Sequence, residues 1–295
     1  MATISLTFLG TFQVLRDGAP VTRFRGEKVR ALLAYLATEA ERPHERATLA
    51  ALLWPDQGDE LALRNLAQAL VRLREALGVS DELLHITRQA LQWRRAAAQL
   101  DVAEFARLAR SDETADLARA ANLYGGEFLA GFALPGCEAF EEWLLLTREQ
   151  LAQQALAALH TLAGQHLAAG RFDQSAAAAR RQIALDRWRE DAHRQLMLAL
   201  ALSGDQAAAL AAYARSRQTL EDDLGVEPDS ETRALYERIR TGQLGPAPGG
   251  GAGAGRLDAS APRDERTPHR TRLSVPPTLP AALIGRAQDV AAVCQ

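Results

Sequence analysis

The sequence is poor in cysteine and in aromatic residues. Its two cysteines, Cys137 and Cys294, cannot build a disulfide framework and do not have the spacing of a zinc site. Aromatic residues make up 5% of the 295 residues, whereas hydrophobic residues make up 47%. The cores must therefore be built mainly from alanine and leucine, which favours helices.

Several functional signals are also missing. No run of eighteen apolar residues could span a membrane and the N-terminal residues do not have the pattern of a signal peptide, so the sequence predicts a cytoplasmic protein without a membrane partner. The six histidines show no HExxH arrangement, and neither GxSxG nor the phosphate-binding GxxxxGK[ST] occurs. We therefore predict that the chain is not an enzyme and has no cofactor and no metal site.

Charge is distributed unevenly along the chain. Residues 1–96 carry 13 basic and 11 acidic side chains, whereas residues 97–241 carry 15 and 22. A mildly basic front and an acidic middle are typical of a nucleic-acid module joined to a second domain, although a solvated mixed surface gives the same balance.

The clearest periodic pattern lies between residues 60 and 78. Leucines recur at steps of three and four, which predicts one amphipathic helix whose apolar stripe contains Leu63, Leu66, Leu70, Leu73 and Leu77. Asp59 is placed to cap its start and Gly78 to end it. The opposite face, with Arg74 on its flank, has the side chains that bind base edges and phosphates: Arg64, Asn65, Gln68 and Arg72. An ordinary solvated face has a similar composition, so the neighbouring elements must decide.

The elements around this helix follow a recognisable order. Residues 3–24 alternate apolar and polar positions about a tight turn, which predicts a small antiparallel sheet. Two helices follow, and the second ends at Trp54, whose predicted role is packing. After the helix 60–77, two short strands flank Arg88 and predict a hairpin. Sheet, three helices and hairpin are the order of a response-regulator-type winged helix, whose third helix enters the major groove.

A family resemblance covers this region. The run RPHERATLAALLWPDQGDELALRNLAQALVRLREALG resembles the DNA-binding domain of the Streptomyces antibiotic regulatory protein (SARP) family. The resemblance implies a sequence-specific transcriptional activator that binds direct repeats in double-stranded DNA as a homodimer and recruits RNA polymerase. Base reading would fall to Arg64, Asn65, Gln68 and Arg72.

The same resemblance assigns two further sets of residues. Contacts to the DNA backbone, including those of the wing, would come from Arg23, Arg25, Arg74, Arg88, Arg94 and Arg95. Contact with RNA polymerase would come from the loop before the third helix, which contains Pro55, Asp56, Gln57, Gly58 and Asp59.

From residue 97 to residue 241 the sequence predicts an all-α domain. Gly170 and Gly204 align in an internal repeat of 34 residues, the length of a tetratricopeptide unit. Small alanines fit the close approach of paired helices, and Leu185 is among the residues expected to fill the core. The segments LYGGEFLAGF, EWLLLTREQ and LGVEPD resemble the bacterial transcriptional activator domain of SARP regulators.

The remaining residues predict a linker and an incomplete domain. Residues 242–280 are rich in glycine and proline, which predicts a disordered linker. Residues 281–295 resemble the start of the signalling ATPase domain that lies downstream in large SARP regulators. The chain would then be the N-terminal part of a larger regulator.

A second function stays open at this point. Glu60 and Glu75 lie at the two ends of the predicted reading helix and would repel phosphates. The alternative is therefore a protein-interaction module of a larger regulatory ATPase, with a winged helix that no longer binds DNA.

Overall fold

The computed structural model describes residues 3–78, 83–94 and 98–244. Its N-terminal part contains a four-stranded sheet in the order β3-β2-β1-β7. These strands are β1 (Ile4–Thr7), β2 (Gln13–Arg16), β3 (Ala19–Pro20) and β7 (Ala98–Leu100). The first three are antiparallel, with Ile4 opposite Arg16, as predicted. The parallel strand β7, in which Ala98 lies beside Ile4, was not predicted.

Three helices and a second sheet complete the winged helix. The helices are α1 (Glu27–Thr38), α2 (Arg46–Leu53) and α3 (Asp59–Leu77). The strands are β4 (His44–Glu45), β5 (Leu84–Ile86) and β6 (Ala90–Trp93), in the order β4-β6-β5. Strands β5 and β6 form the predicted hairpin, and Leu91 of β6 lies opposite both His44 and Ile86.

The rest of the described chain is helical, which confirms the predicted fold class. Its helices are α4 (Asp101–Leu108), α5 (Thr114–Leu123), α6 (Glu138–Ala168), α7 (Phe172–Leu185), α8 (Glu190–Leu202), α9 (Gln206–Leu224) and α10 (Ser230–Arg240). Helix α6 has 31 residues and packs in two environments. Its first half joins the core of the winged helix, and its second half packs with α5 and α7.

One hydrophobic core therefore crosses the predicted domain boundary at residue 96. It extends from Ile4 in β1 to Ala155 in α6 and includes Phe105 of α4 and Phe140 of α6. Packing is continuous between the two predicted domains, and their separation into a DNA-binding and a helical domain stays a prediction about function.

Arg148 of α6 fixes the connection before α6 to the N-terminal sheet. Its guanidinium donates hydrogen bonds to the carbonyls of Phe128, Leu129 and Phe132, at 2.9, 2.8 and 3.1 Å. The amide of Leu129 in turn donates to the carbonyl of Phe8 at 2.7 Å. Because a charged donor satisfies three carbonyls at once, this connection has a defined position against the sheet.

Asp101 makes a second connection between the N-terminal sheet and the helical part of the chain, at the start of α4. Its carboxylate accepts hydrogen bonds from the amides of Phe8, Leu9 and Val102. Burial raises the pKa of the Asp101 carboxyl, although these three hydrogen bonds oppose the rise. The end of β1 is thus held to the first helix of the following module.

Helices α7 to α10 form the predicted repeat array. Gly170 and Gly204 end α6 and α8 with φ angles of 71° and 92°, so the period of 34 residues is confirmed. Buried alanines line the contacts between paired helices: Ala176, Ala179, Ala209 and Ala212. The expectation for Leu185 was wrong, because this side chain lies at the last residue of α7 and is 42% exposed.

The predicted linker is described only over residues 242–244. Leu244 is half-buried and packs against the core of the array. The rest of the linker and the predicted start of an ATPase domain lie outside the described residues. None of the helices in the described part of the chain is long and apolar enough to cross a membrane.

Candidate nucleic-acid interface

Helix α3 is the long amphipathic helix that the leucine pattern predicts. Its buried face consists of Ala62, Leu66, Ala69, Leu70, Leu73 and Leu77. Asp59 and Glu60 lie in the first turn, where negative charge favours the helix, and Gly78 ends it in the left-handed conformation at φ 59°.

Two details of the predicted helix were wrong. Leu63 is 37% exposed, because it lies beside the buried stripe rather than within it. Asp59 makes no capping hydrogen bond, since it is already the first helical residue and Gly58 occupies the capping position.

The outward face of α3 carries most of the predicted reading residues. Arg64, Gln68 and Arg72 are exposed and follow one another at steps of four, so they lie along one line of the helix surface. Among the described residues, none of the ion pairs involves Arg64 or Arg72. Their guanidinium groups are available to an external acceptor.

Asn65 differs from these three residues. It is half-buried, and its amide nitrogen donates a hydrogen bond to the side-chain oxygen of Gln57 in the preceding loop. This contact connects the predicted reading helix to the predicted polymerase loop, and one amide proton of Asn65 is used within the chain. Base reading by Asn65 stays a prediction.

A cleft of about 400 Å³ beside α3 brings several of the predicted residues together. Its wall on α3 includes Asn65, Gln68 and Arg72, and its opposite wall includes Arg25 and the N-terminal turn of α1. Three further lining residues had no predicted part in binding: Lys28, Leu134 and Trp54, for which the sequence predicted packing. The cleft thus unites one predicted backbone contact with three of the four predicted base readers.

Lys28 and Trp54 contact each other in the lining of this cleft. Trp54 is buried, as predicted, and the ammonium of Lys28 lies 5.3 Å from the centre of its ring. Leu134 reaches the cleft from the connection before α6, 57 residues beyond Leu77 at the end of α3. No local pattern could have predicted that contact, because it depends on the packing of α6 against the winged helix.

The wing presents a second set of predicted cations. The Thr87 hydroxyl accepts the amide of Ala90 at 2.9 Å and shapes the tip, where Arg88 is exposed. Arg94 is exposed at the end of β6 and lies 3.5 Å from a ring nitrogen of His85 on β5. Arg95, also predicted for the wing, lies outside the described residues.

The other residues that are predicted to contact the DNA backbone differ in their exposure. Arg23 and Arg25 are exposed in the segment that leads into α1. Arg74, by contrast, is half-buried in the last turn of α3 and already interacts within the chain. Arg74 is therefore less accessible to a phosphate than Arg23 and Arg25 are.

The predicted polymerase loop is exposed to solvent, and residues before α6 contact its base. Pro55, Asp56, Gly58 and Asp59 are exposed, and Gln57 is half-buried through its bond to Asn65. At the base of the loop the thiol of Cys137 donates to the carbonyl of Leu53 at 3.3 Å. Burial raises the pKa of this thiol. Residues before α6 therefore support the end of α2 and the loop that follows it.

The site offers contacts for binding and has no arrangement for chemistry on a metal. Within residues 3–78, 83–94 and 98–244, no group of three or more His, Cys, Asp or Glu side chains could hold a metal ion. The exposed groups on α3 and the wing are guanidinium and amide donors, which bind anions and base edges.

Comparison with known proteins gives one matching family. The family described as "Bacterial transcriptional activator domain" matches residues 92–240. This range contains α4 to α10 and begins in the wing, so it includes the helical module but excludes α3.

Curated relatives extend the similarity over the winged helix. The chain is 33% identical over 241 residues to the "Regulatory protein AfsR" of Streptomyces coelicolor, an alignment of 78% of this chain and 24% of AfsR. It is 30% identical over 258 residues to the "Transcriptional regulatory protein EmbR" of Mycobacterium tuberculosis, covering 78% of this chain and 62% of EmbR. The chain thus spans about a quarter of AfsR and somewhat under two thirds of EmbR.

A solved structure agrees with this similarity. The fold resembles Mycobacterium tuberculosis EmbR in complex with a low-affinity phosphopeptide, with a TM-score of 0.63 and 25% identity. The alignment covers 82% of this chain and 66% of the EmbR chain.

Proposed function

Because the chain belongs to the SARP family of transcriptional regulators, which carry a bacterial transcriptional activator domain, we propose that it binds specific double-stranded DNA through α3. The observation that carries this proposal is the cleft beside α3. In this cleft Asn65, Gln68 and Arg72 of α3 lie next to Arg25, Lys28 and the first turn of α1.

The spacing on α3 suits a helix in the major groove. Steps of four residues separate Arg64, Gln68 and Arg72 by about 6 Å each along the helix axis. Arginine pairs with guanine and glutamine with adenine through two hydrogen bonds each, and each such pair contributes about 1–3 kcal/mol of discrimination. Three exposed side chains along one line of the α3 surface support the recognition of a short DNA sequence element.

Backbone contacts would position this helix. Arg25 precedes α1 and Lys28 lies in its first turn, where free backbone amides and the helix dipole favour a phosphate and the Glu27 carboxylate is paired with Arg30. Arg23 would extend this set, and Arg88 and Arg94 at the wing would contact a neighbouring phosphate. These contacts would fix the register of α3 without reading sequence.

Assembly on DNA and contact with RNA polymerase are further parts of the proposal. Two protomers on direct repeats one helical turn apart would place both copies of α3 on one face of the duplex. The loop Pro55 to Asp59 projects beside α3, which supports a contact with RNA polymerase at the promoter and a role as an activator. Binding to chromosomal DNA would place the protein at the nucleoid.

A gel-shift titration tests base reading. The probes are a duplex from the region upstream of the protein's own gene and a scrambled duplex of equal length. Arg64→Ala combined with Gln68→Ala should reduce the preference for the upstream duplex by about tenfold or more, since two base contacts are lost.

The control for this titration is Arg180→Ala, which removes an exposed arginine from α7 and should leave the preference unchanged. Equal preference in the wild type and in the double variant would exclude α3 as the reader.

One observation favours the alternative function. Glu60 and Glu75 are both exposed, so carboxylates lie at the two ends of the reading face. A winged helix with this charge could serve as a protein-interaction module of a larger regulatory ATPase. That function predicts no shift of any duplex even at low salt, where phosphate contacts are strongest.

A further inference from the structure

Two large apolar side chains are exposed on α3 among its predicted base readers. Leu61 is 46% exposed and Val71 is 47% exposed, and neither is part of the hydrophobic clusters that the described residues form. Single exposed apolar residues are common on protein surfaces and need no explanation by themselves. The positions of Leu61 and Val71 relative to the polar readers distinguish them from such residues.

Leu61 and Val71 lie on the same strip of the helix surface as Arg64 and Gln68. Seven residues make almost two turns of an α-helix, so the directions of Leu61 and Gln68 differ by only about 20°, and so do those of Arg64 and Val71. All four side chains are exposed. We call these four residues the outer strip of α3. Their order along the helix is apolar, guanidinium, amide and apolar.

The folding of the chain gives no reason for the two apolar side chains of the outer strip. The buried face of α3 lies on the opposite side of the helix, where it contains Leu66, Leu70 and Leu73. Valine is also a poorer helix former than alanine, arginine or glutamine, because its branched side chain loses rotamer freedom in a helix. A solvated face would favour polar side chains at both positions. The outer strip therefore has the composition of a surface that binds apolar groups as well as polar ones.

The thymine methyl groups of duplex DNA are apolar groups that fit this strip. Each thymine exposes its C5-methyl group in the major groove, next to the hydrogen-bonding atoms of the neighbouring bases, and apolar side chains contact this methyl. Arg64 and Gln68 have the side-chain types that bind guanine and adenine in the same groove. One strip can thus read methyl groups and hydrogen-bonding edges together.

The charges beside the outer strip favour DNA over a protein as its occupant. Gln68 also lines the cleft that contains Arg25 and Lys28, so cations lie along one edge of the strip. Arg72 is exposed next to Val71. The major groove presents its methyl groups between two rows of phosphates, which matches an apolar strip with cations at its edge.

The length of the outer strip limits the DNA that it contacts. From Leu61 to Val71 the helix rises by about 15 Å, which corresponds to about four base-pair steps of about 3.4 Å. Glu60 and Glu75 lie outside this interval, so their carboxylates border the strip and do not interrupt it. The strip fits a short stretch of duplex that has a thymine methyl near each end.

We propose that Leu61 and Val71 determine specificity by contacting thymine methyl groups on either side of the bases read by Arg64 and Gln68. This inference rests on the proposed binding of DNA through α3 and names a part of the sequence that α3 recognises. The recognised element has thymine at two positions about four base-pair steps apart. Cytosine at either position binds more weakly, because it has no methyl group.

Deoxyuridine substitution tests the proposal, because it removes the C5-methyl group of thymine and leaves the base-pairing edge unchanged. The full chain is titrated against the duplex from upstream of its gene, prepared with thymine or with deoxyuridine in the stretch that the protein protects from DNase I. We expect the deoxyuridine duplex to bind about tenfold more weakly or worse, since each lost methyl contact weakens binding about fourfold. Deoxyuridine placed only outside the protected stretch should have no effect.

Alanine variants assign this effect to the two side chains. Leu61→Ala combined with Val71→Ala should weaken binding to the thymine duplex by a similar factor and should bind both duplexes equally, because the double variant has no side chain that reaches the methyl groups. Leu63→Ala is the matched control. It removes a 37% exposed leucine that lies on α3 outside the outer strip, and it should keep the full sensitivity to deoxyuridine.

Two results would overturn this inference and leave the proposed function intact. In the first, the wild type prefers the upstream duplex to the scrambled one but binds its thymine and deoxyuridine forms equally. In the second, deoxyuridine weakens binding by the wild type and by the double variant alike, so that other residues or the shape of the duplex respond to the methyl groups. Equal binding of the upstream and scrambled duplexes by the wild type would instead refute the proposed function, and this inference with it.

Discussion

In the helical array, five arginines are paired with carboxylates on the same surface: Arg187, Arg189, Arg194, Arg217 and Arg240. Arg189 lies 2.9 Å from Asp191, and Arg194 lies 2.6 Å from Asp229. In the winged helix, Arg64, Arg72 and Arg88 are exposed, and none of the ion pairs among the described residues involves them. The same residue type therefore has two roles: the paired arginines of the array contribute to local structure, whereas Arg64, Arg72 and Arg88 are available to a phosphate or a base.

The two regions also differ in how their cores are built. The winged helix packs large side chains such as Leu32, Leu73 and Trp93 against its sheets. The array packs small ones such as Ala179 and Ala209, which bring helix axes close together. Polar contacts at helix ends are correspondingly important in the array, where Asp229 caps α10 through a hydrogen bond from the amide of Thr232.

Removing a large core side chain from the winged helix should have the greatest effect on stability. Leu73→Ala deletes a side chain that is fully buried between α3 and its neighbours. We expect the free energy of unfolding in urea to fall by about 2–5 kcal/mol, because a cavity is left as well as lost apolar burial. Leu63→Ala, at a 37% exposed position of the same helix, should cost less than about 1 kcal/mol. Similar losses for the two variants would contradict the observed orientation of α3.

Removing a cap from the array should have an intermediate effect. Asp229→Ala takes away the side chain that caps α10 and pairs with Arg194. The free energy of unfolding should fall by about 0.5–2 kcal/mol. Asp222→Ala, at an exposed position in α9, is the matched control and should change it little.

This effect should depend on pH. Partial burial alone would raise the pKa of Asp229, but hydrogen bonds from Thr232 and Arg194 lower it below its usual value. A carboxyl whose pKa is lower in the folded state stabilises that state above the unfolded pKa of about 3.9. The difference between wild type and Asp229→Ala should therefore be constant near neutral pH and shrink as the pH falls below about 4. A difference that grows on acidification would contradict the assignment.

Removing a cation from the wing should leave stability almost unchanged. Arg88→Ala alters an exposed tip residue, so we expect a change within about 0.5 kcal/mol. In DNA titrations the same variant should weaken binding to specific and scrambled duplexes alike, and the slope of log affinity against log salt should fall by about one. A loss confined to the specific duplex would instead make Arg88 a base reader.

Local patterns predicted most of the fold. Helix α3, the hairpin and the repeat at Gly170 and Gly204 all follow from periodicity and turn residues close together in the sequence. What the sequence could not predict depends on distant residues. Strand β7 adds to the first sheet only because β1 has a free edge there, and Leu134 reaches the cleft only because α6 packs on the winged helix.

The candidate site shows the same limit. Side-chain type and spacing pointed to Arg64, Gln68 and Arg72, and the structure places all three on the exposed face of α3. Spacing could not indicate that Asn65 bonds to Gln57 or that Arg74 has a partner within the chain. Both depend on how loops and helix ends fold back on α3.

Helix α6 has a mechanical consequence for any complex that the chain forms. Its 31 residues extend for about 46 Å without a proline, and its two halves belong to different packing clusters. A torque applied to the array is therefore transmitted to the winged helix through α6, because this continuous helix has no flexible connection between its two halves. On a duplex, this rigidity would give the array a fixed azimuth around the DNA axis. Molecules held by the array would face one side of the DNA, and moving the binding site by half a helical turn would point them to the opposite side.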